Sequence, residues 1–122
     1  MTRVVLLAVA ALFTIGAFDI PARAQDAPPG DATAGQRIYL ATGCFYCHGR
    51  AGQGGAYNRA APALAKTEMP FSGFQFQLRN PGGDMPAYVD AVMTDKDIAD
   101  IYAFLRALPG PRDVKGIAIL ND

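Results

Sequence analysis

The sequence predicts an all-α domain, three to four short helices joined by long loops. Three observations predict it. The segment from Thr94 to Leu108 has a capping residue, an apolar stripe at helical spacing and a Pro-Gly-Pro stop. Thirteen glycines and nine prolines punctuate the chain, which disfavours long strands and coiled coils. No stretch alternates polar and apolar residues as a half-buried strand would, and no internal repeat is visible.

The first 24 residues lie outside the predicted fold. Arg3 precedes an apolar run from Val4 to Phe18, and Asp19 and Pro21 end it. Ala22-Arg23-Ala24 then offers small residues at the two positions that a signal peptidase reads. The run is shorter than the roughly 20 residues of a membrane span. No Arg-Arg pair is present, which favours general secretion. Residues 1–24 are therefore read as a secretory signal, with an uncleaved N-terminal anchor as the alternative. The expected location is periplasmic, with no membrane span after cleavage and a tether if the signal stays.

Removal of 24 of the 122 residues leaves 98, enough for one small domain. Eleven basic and eleven acidic side chains balance in the whole chain, which argues against a nucleic-acid binder. A chain of this size buries a modest core, so a large apolar cofactor at its centre would stabilise it considerably.

Residues 25–30 hold two prolines and read as a flexible lead-in. Asp31 to Thr42 reads as the first helix, with Asp31 as N-cap and Thr33 with Gln36 as a second candidate start. Gly35 and Tyr39, four apart, share a face, and Gly43 closes the helix. Four glycines in Gly49 to Gly55 make a loop, and Ala60 to Pro70 reads as another. Phe71 to Asn80 is a short helix with Phe71, Phe74 and Leu78 on one side, stopped by Pro81-Gly82-Gly83. Ala87 to Met93 is read as one or two further helical turns. Thr94 caps the last helix, with Asp95 and Asp97 in its first turn and Ile98, Ile101, Tyr102, Leu105 and Leu108 as its stripe. The domain is thus expected over 31–108, with a tail over 109–122 whose Ile117, Ile119 and Leu120 would pack on the body or on a partner.

Both cysteines and the single histidine fall in Cys44-Phe45-Tyr46-Cys47-His48. C-x-x-C-H is the pattern of covalent haem attachment. A two-residue gap lets two thiols reach two vinyl groups on one porphyrin edge. His48 is then held beneath the ring as an iron ligand, its other nitrogen donating to a carbonyl or carboxylate. Other readings compete. A thioredoxin-like pair would sit in a βαβ unit, and none is visible. A disulfide leaves His48 unexplained. Zinc would need further Cys or His ligands, and the chain has none.

A second axial histidine is impossible within the chain, so methionine is the expected sixth ligand, one that raises the haem potential. Met85 is favoured, because the glycines and prolines of its loop can carry a side chain across the haem. Met69, Met93 and an open site are the alternatives; simple packing is the bland reading of each methionine.

The sequence resembles the small class I cytochrome c family over about Asp31 to Leu108. The matching pieces are Gly35-Gln36-Arg37-Ile38-Tyr39, Gly43 to Gly49 around the haem motif, Ala61-Pro62-Ala63-Leu64, Met85-Pro86-Ala87-Tyr88, and Ile98 to Leu108. The resemblance implies the class I cytochrome c fold, wrapped around one haem c held by Cys44 and Cys47. It implies His48 and Met85 as iron ligands and Pro62 as the carbonyl that accepts from His48. It places Gly35 and Tyr39 where the first helix crosses the last, near Tyr102. The family often has Gly where Ala61 stands, and many members use a Trp near the haem propionates that this chain lacks. Arg79, Tyr57 and Arg59 are the candidate substitutes.

The implied function is single-electron carriage between redox proteins (a dehydrogenase, an oxidase or another cytochrome), with no substrate on iron. Phe45, Tyr46, Pro86 and Ala87 are expected around the exposed haem edge. The alternatives are a dedicated cytochrome subunit of an exported dehydrogenase or oxidase, and a ligand-binding haem c protein with an open sixth position. With the one histidine assigned to iron, enzyme chemistry of the chain's own is not expected.

Overall fold

The computed structural model describes residues 27–55, 61–111 and Lys115. The expected signal (1–24), Tyr57, Arg59 and the apolar end of the tail lie outside the described residues. Within them there are four helices and no strand: α1 (Ala32–Ala41), α2 (Phe45–His48), α3 (Phe71–Arg79) and α4 (Asp95–Ala107).

Local chemistry sets the boundaries. Asp31 caps α1 and accepts from the Thr33 and Ala34 amides at 2.8 and 3.0 Å, so the alternative start at Thr33 is not used. Gly43 follows α1 at φ +81°, a conformation favourable to glycine. Thr94 and Asp97 form a capping box on α4, with the Asp97 amide donating to Thr94 Oγ1 and the Thr94 amide to Asp97 Oδ2. The segment expected to hold extra helical turns, Ala87 to Met93, is instead extended chain and a turn. Its side chains explain this, since Val89 and Val92 are about 60% exposed and only Met93 enters the core. A helix there would have no apolar face to bury.

The body of the fold is the crossing of α1 on α4. Gly35 lies on the α4 backbone so closely that a Cβ there would come within 1.9 Å of the Asp100 carbonyl oxygen. The crossing point is therefore Asp100–Ile101, immediately before Tyr102, near which the crossing is expected from sequence. Tyr102 points to α3 instead. Its ring packs on Phe71 and Phe74, with centroids 5.4 and 5.3 Å away, and its hydroxyl donates to the Met69 carbonyl at 2.7 Å. Tyr39 packs from α1 on Phe104. Tyr39, Met93, Ile98, Ile101 and Leu105 are the fully buried centre.

Asp100 is the one buried charged side chain among the described residues. It accepts from the Asp31 amide at 2.7 Å and from the Lys96 ammonium. It thus ties the start of α1 to the middle of α4. Burial pushes the Asp100 carboxyl up, but the Lys96 and Asp31 hydrogen bonds outweigh it and leave it below the usual carboxylate value. The loop after α2 is tied to the same helix. The Lys66 amide donates to the Leu105 carbonyl at 2.7 Å, satisfying one of the C-terminal carbonyls that α4 cannot satisfy itself.

Two outcomes are expected. Gly35→Ala should cost about 3 kcal/mol, because its neighbour is backbone and cannot turn aside. Gly73→Ala, whose Cβ would meet only the Met69 side chain at 3.4 Å, should gain about 0.5–1 kcal/mol. Thermal unfolding of both variants checks this. Because the folded-state value of Asp100 lies below its unfolded value near 3.8, its stabilisation is complete above that pH and fades as pH falls through the folded value. Denaturant titrations between pH 7 and pH 3 should therefore show a shallower acid loss in Asp100→Asn than in the native chain.

Candidate haem site

The site is built from three separated pieces of chain. The first is α2 with the residues before it. Cys44, Cys47 and His48 all border one cavity of about 1040 Å³, at the upper end of the size range of ligand pockets. Both cysteines are free thiols and half-buried. The second piece is the loop of Ala61, Pro62 and Leu64. The third runs from α3 into the following loop and contributes Phe74, Gln77, Leu78, Met85, Pro86 and Tyr88. Ile101 and Leu105 of α4 close the lining with apolar surface.

His48 Nδ1 lies 2.9 Å from the Pro62 carbonyl oxygen. A carbonyl can only accept, so the proton is on Nδ1 and the Nε2 lone pair is free for a metal. The loop that carries Pro62 is fixed to the motif by its backbone. The Gly54 amide donates to the His48 carbonyl at 2.8 Å, and the Leu64 and Ala65 amides both donate to Gly52. Gly54 must be glycine here, since it sits at φ +78° and a Cβ would meet the Ala63 nitrogen at 2.7 Å.

From the other flank, the Tyr39 hydroxyl donates to the Gly49 carbonyl at 2.7 Å, inside the core. Burial, and secondarily the Cys44 thiol, push this phenol up, so it stays a proton donor at every physiological pH. The Tyr88 hydroxyl reaches the Thr42 carbonyl at 3.2 Å, and burial with the neighbouring thiols pushes it up to about 12. Thr42 in turn places its hydroxyl 3.4 Å from Cys44 Sγ. The motif is therefore held on both sides before any cofactor is considered.

The three candidate methionines separate clearly. Met93 is fully buried in the protein core and does not line the cavity. Met69 and Met85 both line it. Met69 is 45% exposed. Met85 is half-buried against the core, and the Gln77 amide stands 3.9 Å from its sulfur.

Of the residues expected at the haem edge, Tyr46 and Pro86 border the cavity, while Phe45 and Ala87 do not. Phe45 instead stacks on Tyr46 and lies under the Arg50 guanidinium. The expectation for Arg79 is corrected. It does not line the cavity. Its guanidinium donates to the Tyr88 and Met93 carbonyls, both at 2.7 Å, and pairs with Asp90 at 2.6 Å and Asp95 at 2.7 Å. Those four partners consume the fork that a propionate would need.

Sequence reasoning missed Gln77. The signal was available: Phe74, Gln77 and Leu78 share one face of a helix, so a polar residue sits inside an apolar stripe. The pairing of Tyr39 with Gly49 left no such trace.

Two thiols, an imidazole with one free nitrogen and a thioether around a mostly apolar cavity fit a covalently held haem. The donor set is wrong for a structural metal, and no group of three or more His, Cys, Asp or Glu residues that could hold a metal ion occurs among the described residues. Fold and site together define a c-type cytochrome domain. The chain belongs to the family described as cytochrome C oxidase, cbb3-type, subunit III, whose profile matches residues 30–105. Among solved structures it is similar to reduced recombinant cytochrome c4 from Pseudomonas stutzeri, at 25% identity and a TM-score of 0.44. That alignment covers 68% of this chain and 48% of the other, so the chain spans about half the length of cytochrome c4. No curated protein matches. The chain is thus a member of a c-type cytochrome family, with the expected all-α architecture among the described residues. No helix among the described residues is long and apolar enough to cross a membrane.

Tyr39→Phe should remove one of the two donors to the buried Gly49 carbonyl, the Gly52 amide at 3.1 Å remaining, and destabilise the folded chain by about 1 kcal/mol. Thermal unfolding of the haem-loaded variant measures it.

Proposed function

We propose that the chain carries single electrons through one haem c, attached at Cys44 and Cys47 and ligated by His48 and Met85. The observation that carries this reading is the convergence of both thiols, His48 and Met85 on one cavity. The haem, when bound, supplies an iron that cycles between ferric and ferrous with both axial positions filled. The residues of the chain do the rest. Pro62 keeps the His48 proton on Nδ1 and strengthens Nε2 as a donor. Tyr39 and Thr42 fix the two ends of the motif. Phe74, Leu78, Ile101 and Leu105 exclude water, which favours the less charged ferrous state. With two cysteines in the whole sequence, one such attachment is possible.

Met85 is preferred to Met69 because it is packed half-buried against the core and carries a polar neighbour, Gln77, whereas Met69 is 45% exposed. The partners in this reading are protein donors and acceptors met through small, transient contacts, and the location is periplasmic after export. Membership of the cbb3-type oxidase subunit III family favours a second reading, a cytochrome subunit of an oxidase; a stable complex on purification from the native membrane would select it.

The test is spectroscopy of chain matured in cells that attach c-type haem. One haem per chain and a ferric thioether-to-iron absorption band are expected. Met85→Ala should abolish the band, admit carbon monoxide to the ferrous iron and lower the reduction potential by on the order of 100 mV. Met69→Ala should change none of these. A band that survives Met85→Ala overturns the assignment.

A further inference from the structure

Met85 lies on the segment that joins α3 to α4. The chain between α3 and Met85 passes through Gly82 and Gly83, around which a Cβ would meet nothing within 4 Å. What fixes the segment lies beyond Met85. The Tyr88 amide donates to the Leu78 carbonyl at 2.9 Å. One residue further on α3, Arg79 donates from Nη1 to the carbonyls of Tyr88 and Met93, both at 2.7 Å. Its Nη2 pairs with the carboxylates of Asp90 and Asp95. One guanidinium thus holds four points of the chain between Tyr88 and the first residue of α4. The Arg79 side chain is only 18% exposed, whereas Asp90 and Asp95 are 86% and 69% exposed. Exposed ion pairs contribute little. The two shielded carbonyl contacts, made by a charged donor, therefore carry the hold.

We propose that Arg79 is a positioning residue for the sixth ligand: it straps the 88–95 segment to the end of α3 and thereby keeps the Met85 thioether at the cavity. This rests on the reading of Met85 as ligand. Arg79 touches neither cavity nor sulfur; it acts through the backbone of Tyr88, three residues on from Met85. Without it, Met85 would lose the strongest of the tethers beyond it, with the Tyr88 amide, the Tyr88 hydroxyl on Thr42 and the Gln77 contact remaining, and the ligand-off state would become more populated.

The experiment uses the haem-loaded protein, with imidazole as a competitor for the sixth position of the ferric iron. Arg79→Ala is expected to bind imidazole about tenfold more tightly than the native chain and to show a weakened thioether-to-iron band. Arg79→Lys should fall between the two, since one ammonium cannot make the forked contact. A purely structural role would lower the melting temperature and leave imidazole affinity alone; that result overturns the proposal. If Arg79→Ala does not mature, the decision passes to Arg79→Lys, where unchanged imidazole affinity overturns the proposal equally. Met85→Ala separates the two ideas. Loss of the band there, with native behaviour in the Arg79 variants, refutes the strap and spares the ligand. A band retained in Met85→Ala refutes both.

Discussion

The approach of Gly35 to the Asp100 carbonyl is the constraint on which the rest is built. It lets α1 and α4 cross with their backbones nearly touching. Tyr39, one turn along α1, then reaches both Phe104 and the Gly49 carbonyl. Gly49 directly follows the haem-attachment motif, so the crossing sets the position of the motif through one side chain. Asp100 contributes twice at this point. Its carbonyl is what Gly35 lies on, and its carboxylate caps the chain entering α1. A buried carboxylate would ordinarily be unfavourable; here two hydrogen bonds to it offset the lost hydration.

The site divides into a half that is local in sequence and a half that is not. Cys44, Cys47, His48 and Pro62 lie within 19 positions of one another, and the glycine-rich loop folds them together with its own backbone hydrogen bonds. Met85 arrives from the far end of α3. The first half was legible in the sequence, because C-x-x-C-H has a spacing that few chemistries share. The second half was legible only as a choice among methionines. Met93, adjoining the last helix, reads as a core contact and is one, but the presence of Met69 at the cavity is a fact of packing that no local pattern announces.

Helix ends were likewise readable where a side chain defines them. Asp31, Gly43 and Thr94 stop or start helices by their own chemistry, and each stands within a residue of the expected boundary. Ala87 to Met93 misled because its Ala and Met residues suit a helix intrinsically. Tertiary structure decided otherwise: Arg79 takes up the Tyr88 and Met93 carbonyls. Arg79 itself was misread for a related reason. A lone arginine near a cofactor suggests anion binding, and nothing in the sequence reveals that backbone carbonyls and two aspartates have already claimed it.

The glycines that precede Met85 carry a consequence for how this chain tolerates change in length. Gly82 and Gly83 stand in open space, contacting no other part of the fold within 4 Å of a built Cβ. Lengthening a loop there would add only closure entropy, about 0.6 kcal/mol for a doubling. The anchor at Tyr88 would be untouched, so the reach of Met85 would still be measured from Tyr88 backwards. Relatives of different length are thus expected to differ between α3 and the methionine, while the count from methionine to tyrosine stays fixed.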